Sequence, residues 1–303
     1  MSTQCRFVIG LVIGGLWLIG CGVSDGSTPD VSSTFPSTTP ITPMPTLEPL
    51  VAFVAGEPIR LVDFEQEIAR YEAAQLTSGI NLATIGDYKT QVLQALIDRR
   101  LLAQGARTIG AEVDETSLED TIEQISLDLG GNDALNTWLT EMGYTLENLK
   151  ITLTEELLAA QMIEQIVAGV TETAEQVQAR HILVATRDEA EWLQGQLVAG
   201  FNFAEMARQY SLDPSTRLAG GDLGWFPAGY LLIPEVEVAA FSLQPGEISE
   251  IIESHLGFHI VQIIDRAIQP LNPDALRHLR EQAVKDWLAV QRETVEILVL
   301  SIP

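Results

Sequence analysis

Residues able to do chemistry are few in this chain of 303 residues: four histidines, at positions 181, 255, 259 and 278, and two cysteines, at 5 and 21. His181 lies in Ala179-Arg180-His181-Ile182-Leu183-Val184, which reads as a strand. His259 lies in Gly257-Phe258-His259-Ile260-Val261-Gln262-Ile263, which reads as another. His255 falls in the loop before that second strand, and His278 on a later helical stretch. A metal centre needs ligands at coordinating spacing, and no such set is present. The run Gly220-Gly221-Asp222-Leu223-Gly224-Trp225-Phe226 has paired glycines that permit positive φ and close backbone approach. A phosphate loop would continue into Lys-Ser/Thr and a helix, and this run does not. Asp213 precedes Pro214 in a stretch of turn formers, residues 211–215.

The elements that must position these residues follow from periodicity. Residues 188–199 and 203–210 read as helices, Pro234–Leu243 as a shorter one and Ile248–Ile252 as a strand. Upstream, Val51–Val54 reads as a strand and Ala55-Gly56-Glu57-Pro58 as a turn. Three apolar stripes then recur at helical spacing: Leu61, Phe64 and Ile68; Tyr88, Val92 and Leu96; Leu118, Ile122, Ile125 and Leu129. Gly130-Gly131 breaks the third, and Thr145 caps a helix with Leu146, Leu149 and Leu153 on one face. Between residues 50 and 177 there is neither histidine nor cysteine. The acidic residues there occupy exposed helical phases, which argues for a solvated face rather than a carboxylate active site. Such helices either form a structural domain or cradle another chain in an apolar groove. After Asn272, a helix cap with Pro273 at the first position, Leu276, Leu279, Ala283, Trp287 and Val290 make one apolar face.

Charge narrows the partners. The formal net charge is −25, from 17 basic and 42 acidic residues, and Lys89, Lys150 and Lys285 are the only lysines. A nucleic-acid binder needs a basic face to displace counterions from phosphates, and the scattered basic residues give none. Hydrophobic residues make up 46%, enough for packed cores, and the length suits about two domains.

Residues 178–268 resemble a parvulin-type peptidyl-prolyl cis/trans isomerase. The resemblance is carried, in order, by His-Ile-Leu-Val at 181–184, Phe-Ala-Glu-Met-Ala-Arg-Gln-Tyr-Ser at 203–211 and Gly-Gly-Asp-Leu-Gly-Trp-Phe at 220–226. Ala-Ala-Phe-Ser-Leu-x-Pro-Gly-Glu-Ile-Ser at 239–249 and Gly-Phe-His-Ile-Val at 257–261 complete it. It implies an α+β domain with a four-stranded antiparallel sheet flanked by helices, and catalysis without a cofactor or metal. Its paired histidines fall on His181 and His259, hydrogen-bonded on adjacent strands. Its third polar position falls on Asp213, near the rotating carbonyl. The alternative reading is two fold-stabilising core histidines, and one pair can do both; for Asp213 it is a turn residue, since Asp before Pro commonly initiates turns. The family's proline pocket pairs a methionine with a phenylalanine. Here the methionine position falls on Leu231 or Leu232 and the phenylalanine position on Val236, with Phe241 and Phe258 as compensating rings.

The resemblance extends outward. Arg6, the apolar run Phe7–Leu18 and Leu18-Ile19-Gly20-Cys21 look like the signal and lipobox of a bacterial lipoprotein. This implies a signal peptide at 1–20, diacylglycerol on Cys21 and a Ser/Thr/Pro-rich tether at 21–49. A helical segment at 50–177 and a terminal helix at 269–303 look like those of SurA/PrsA-type extracytoplasmic foldases. The implied architecture is a discontinuous, mainly helical chaperone domain with the parvulin domain inserted. Residues 295–297 would then add a strand beside Val51–Val54. The implied protein is lipid-anchored on the extracytoplasmic side of a membrane and acts on X-Pro bonds of unfolded or partly folded exported proteins. The altered pocket suggests an alternative, a holdase with a weak parvulin domain kept for peptide binding. A solute-binding lipoprotein would show repeated βα units, which are absent from the pattern.

Overall fold

The computed structural model describes residues 49–300. The expected signal, lipobox and tether lie outside the described residues, apart from the last tether residue, Pro49. In chain order the elements are β1 (Leu50–Val54), β2 (Glu57–Arg60), α1 (Leu61–Thr77), α2 (Tyr88–Thr108), α3 (Glu115–Leu129), α4 (Asn132–Glu141) and α5 (Leu146–Ala168). There follow β3 (Thr173–Val184), α6 (Arg187–Val198), α7 (Phe203–Tyr210), β4 (Asp222–Pro227), α8 (Pro234–Ser242), β5 (Ile252–Ser254), β6 (Gly257–Pro270), α9 (Pro273–Thr294) and β7 (Ile297–Val299). The described residues form two compact units, one holding residues 49–162 and 290–300, the other Ile163–Ala289.

The first unit is mainly helical and discontinuous. Its three-stranded sheet has the order β2-β1-β7, and both pairings are antiparallel. The terminal strand pairs Val54 with Ile297 and Ala52 with Val299, so it sits two residues later than the expected 295–297. The stretch read as a turn at 55–58 is tighter: Ala55 and Gly56 take positive φ, and Glu57 already begins β2. Helix α2 is buried along Leu93, Ile97, Leu101 and Ala103. Arg100 pairs with Glu155 at 2.9 Å and Arg99 with Glu156 at 3.0 Å, fixing α2 against α5. Thr145 caps α5 as expected, accepting from the Asn148 N–H at 3.1 Å.

The second unit is an antiparallel sheet of order β4-β3-β6-β5. It is longer than the sequence pattern suggested, because β3 and β6 pair from Thr173↔Pro270 to Val184↔Phe258. Strand parity divides the core. Ile182, Val184 and Ile260 face Ala190, Leu193, Phe203 and Met206 of α6 and α7. Val177, Ala179, Val261 and Ile263 face Val236 and Ala240 of α8. Arg266 holds α8 in place by donating to the carbonyls of Phe241 and Leu243, at 2.8 and 2.7 Å, where a cation also suits the helix C-terminus. The strand expected at 248–252 is instead one bridge, Ile248↔Gln262, and β5 starts only at Ile252. Ser249 explains this, since its hydroxyl accepts the Val261 N–H at 2.9 Å in place of a backbone carbonyl.

Candidate active site

His181 and His259 lie on the two central strands of the second sheet, on the face turned toward α8. The register pairs His181 with Val261 and Leu183 with His259, so the histidines are diagonal neighbours. Their rings stack 5.7 Å apart, inclined by 17°. Asp213 reaches them from the loop after α7. That loop is stitched to β3 by Leu212 N–H donating to the Leu183 carbonyl at 2.7 Å. The buried Ser211 hydroxyl accepts the Leu183 N–H at 3.2 Å.

Asp213 closes the turn and also contacts His181. Its Oδ1 accepts the Ser215 N–H at 2.9 Å and the Ser215 hydroxyl at 2.6 Å, which closes the turn. Its Oδ2 accepts from the Thr216 hydroxyl and from His181 Nε2 at 2.7 Å. Burial pushes the Asp213 carboxyl up, but the donors from Ser215, Thr216 and His181 outweigh it and hold the group well below the usual carboxylate range. Four donors occupy the lone-pair positions of an ionised carboxylate, so Asp213 is a fixed negative charge and not a proton acceptor.

This charge orients the polar chain behind it. His181 must donate from Nε2, so its Nδ1 accepts when the ring is neutral. His259 Nδ1, 3.5 Å away, then donates, and His259 Nε2 accepts from Ser254 Oγ at 2.7 Å. The Gly257 carbonyl, the competing acceptor for that hydroxyl, is 3.5 Å distant. His259 is fully buried, and burial and the adjacent His181 push its pKa down to about 4. The unfolded chain therefore takes up a proton between about pH 6.5 and 4 that the folded one does not. The stability contributed by neutral His259 is complete above pH 6.5 and is lost as pH falls toward 4. It amounts to about 3 kcal/mol, and a His259→Gln variant should lose that pH dependence in urea unfolding.

A cavity of about 660 Å³ opens in front of His181 and Asp213. Leu183, Leu223, Leu231, Leu232, Ile233 and Val236 supply its aliphatic walls, Tyr230 its aromatic one, and Leu256 and His278 complete the mouth. Of the expected pocket residues, Leu231, Leu232 and Val236 line it. Phe241 and Phe258 do not, which corrects the expectation of compensating rings. Phe258 precedes His259 on β6 and so points through the other face, with the Arg187 guanidinium 5.2 Å above its ring. Phe241 lies edge-on to Phe226 in the core beneath α8. His259 stands behind His181 and does not line the cavity, so it positions rather than touches. Thr216, Ser254, Tyr230 and His278 carried no recognisable signal in the sequence. Each matters through a partner distant in sequence or through the shape of a loop.

Two segments match known families: residues 164–265 the PPIC-type PPIase domain, and residues 46–136 the SurA-like N-terminal domain. Among curated proteins, the foldase protein PrsA of Halalkalibacterium halodurans is 32% identical over 231 residues, covering 70% of this chain and 66% of the relative. That of Caldanaerobacter subterraneus subsp. tengcongensis is 33% identical over 196 residues, covering 61% and 59%. That of Oceanobacillus iheyensis is 30% identical over 210 residues, covering 66% and 68%. The chain thus spans slightly under two thirds of the first relative's length and less of the second's. The matched isomerase and SurA-like segments, and 30% identity across 68% of a PrsA foldase, lead to one conclusion: this chain belongs to the PrsA foldase family.

Proposed function

We propose that the chain is a peptidyl-prolyl cis/trans isomerase and chaperone for exported, incompletely folded proteins. The observation that carries this is the ionised Asp213, held by His181 at the wall of a mostly aliphatic cavity. The X-Pro bond is slow to rotate because amide resonance sets a barrier of about 18–20 kcal/mol. Planarity places negative charge on the carbonyl oxygen, and twisting returns it to nitrogen. A site that strips water from that oxygen removes hydrogen bonds favouring the planar form. A fixed carboxylate nearby disfavours it further. The proline ring lies against Leu231 and Val236, His181 orients Asp213, and His259 with Ser254 fixes the ring of His181.

Among the described residues no lysine or arginine lines the cavity, whereas Leu232, 90% exposed, and Leu256, 52% exposed, stand at its mouth. The favoured residue before proline is therefore apolar. The test is isomerisation of chromogenic tetrapeptides Ala-Xaa-Pro-Phe by the chain from residue 22 onward. Acceleration should be about tenfold greater with Xaa leucine than glutamate, equivalent to about 1.4 kcal/mol. Equal rates would remove the specificity reading. No acceleration by folded protein would leave the domain a peptide-binding module.

The chaperone function is assigned to the helical segment 50–177 with 269–303, around the isomerase segment 178–268. Lipid on Cys21, after a signal at 1–20, would hold the protein on the extracytoplasmic membrane face, with 21–49 as tether. Support comes from the apolar run ending in Gly20-Cys21. Palmitate labelling of the chain in a bacterial host, lost in Cys21→Ala, tests this; labelling that survives the substitution refutes it.

A further inference from the structure

The loop Gly229–Ile233, one wall of the cavity, is held from two sides. On one side the Glu237 carboxylate accepts the N–H groups of Gly229, Tyr230 and Leu231, at 2.7, 2.9 and 2.8 Å. On the other side stands His278 of α9, beyond residue 265 where the match to the isomerase domain ends. His278 Nε2 lies 3.0 Å from the Gly229 carbonyl. A carbonyl only accepts, so this nitrogen carries a proton and donates. The His278 ring stands edge-on to Tyr230, 5.5 Å between centroids and inclined by 85°, and itself lines the cavity. Leu279, the next residue, comes within 3.5 Å of where a side chain at Gly229 would begin, so the helix rests directly on the loop.

We propose that His278 is a positioning residue of the isomerase site, which therefore extends past the isomerase domain into the helix that follows it. The proposal rests on the isomerase reading above. Glu237 ties down the N–H groups of the loop but leaves the Gly229 carbonyl and the outer edge of Tyr230 free. His278 holds both. With it in place, Tyr230 and Leu231 form a fixed wall for the proline ring. Without it, water takes over the carbonyl, and the wall must be ordered each time a peptide binds. That wall touches the peptide equally in planar and twisted states. Its loss should therefore raise KM and spare kcat.

The test uses the chain from residue 22 onward with three substitutions. His278→Ala removes donor and ring, His278→Gln keeps an N–H able to reach the Gly229 carbonyl, and Arg277→Ala alters an exposed neighbour on the same helix. The readouts are kcat and KM with the leucine tetrapeptide, and amide hydrogen exchange at Gly229, Tyr230 and Leu231. His278→Ala should raise KM about fivefold with kcat within twofold, and speed exchange at the three amides about tenfold. His278→Gln should recover most of both, and Arg277→Ala should change neither. Unchanged KM and unchanged exchange in His278→Ala would overturn the proposal, as would a fall in kcat at constant KM. If the unsubstituted chain fails to isomerise the peptide, the isomerase reading falls, and exchange alone then judges the clamp: full protection in His278→Ala refutes it.

Discussion

Asp213→Ala is expected to lower kcat/KM for the leucine tetrapeptide about 100-fold, equivalent to about 2.7 kcal/mol of transition-state stabilisation. Two losses combine. The fixed charge facing the rotating carbonyl disappears, and His181 Nε2 keeps only the Thr216 hydroxyl, 3.1 Å away, as a polar neighbour. His181 is nearly buried, so that donor is poorly compensated by solvent. Asp213→Asn separates the two, since its carbonyl can still accept from His181 while the charge is gone. It should fall between the parent chain and Asp213→Ala. Full activity in Asp213→Asn would show that the carboxylate acts through geometry alone. Activity within twofold of the parent in a folded Asp213→Ala would remove Asp213 from the mechanism. Folding is checked by circular dichroism, because the same carboxylate closes the turn at Ser215.

Gly221→Ala is expected to destabilise the second unit by about 4 kcal/mol or more, beyond the usual range of single substitutions. Gly221 has φ +80°, and a Cβ there would lie 2.1 Å from the His181 carbonyl oxygen and 3.2 Å from the Ala207 side chain. Neither neighbour can yield, because one is strand backbone and the other sits in the core. The Gly221 carbonyl also accepts the His181 N–H at 2.8 Å, so any retreat strains the strand that carries the site. Gly224→Ala is the control. Its φ is +69°, but nothing lies within 4 Å of its would-be Cβ, so only the left-handed backbone opposes it, at about 1–2 kcal/mol. Urea unfolding of the two variants separates close approach from backbone conformation. Equal losses would show that approach to His181 is not what Gly221 provides.

Much of this protein was legible from its residues. The apolar runs at 51–54, 181–184 and 257–263 are strands, and the stripes led by Leu61, Tyr88 and Leu118 are helices. Asn272 caps α9, accepting the Ala275 N–H at 2.8 Å. These features depend on neighbours within a few residues, and local chemistry decides them. The run Gly220–Phe226 was less transparent. Its glycines indicate only positive φ and close approach, yet Asp222–Pro227 forms β4, because β3 offers it a hydrogen-bonding edge. Strand parity was also available and was enough to show that Phe258 and His259 face opposite ways.

Sequence alone determined which residue types stand at the site: two histidines on strands and an aspartate in a turn, within a family pattern. Only the tertiary structure decided how they are wired. The diagonal register of β3 and β6 sets the histidine contact, and the four donors around Asp213 make it a permanent charge. Tyr230 and Val236 line the cavity together, and His278 arrives at it from 48 positions beyond Tyr230 along the chain. The physical reason is range. Propensity and periodicity act over a turn of helix or a pleat of strand, whereas a cavity wall is made where distant segments exclude water from the same volume.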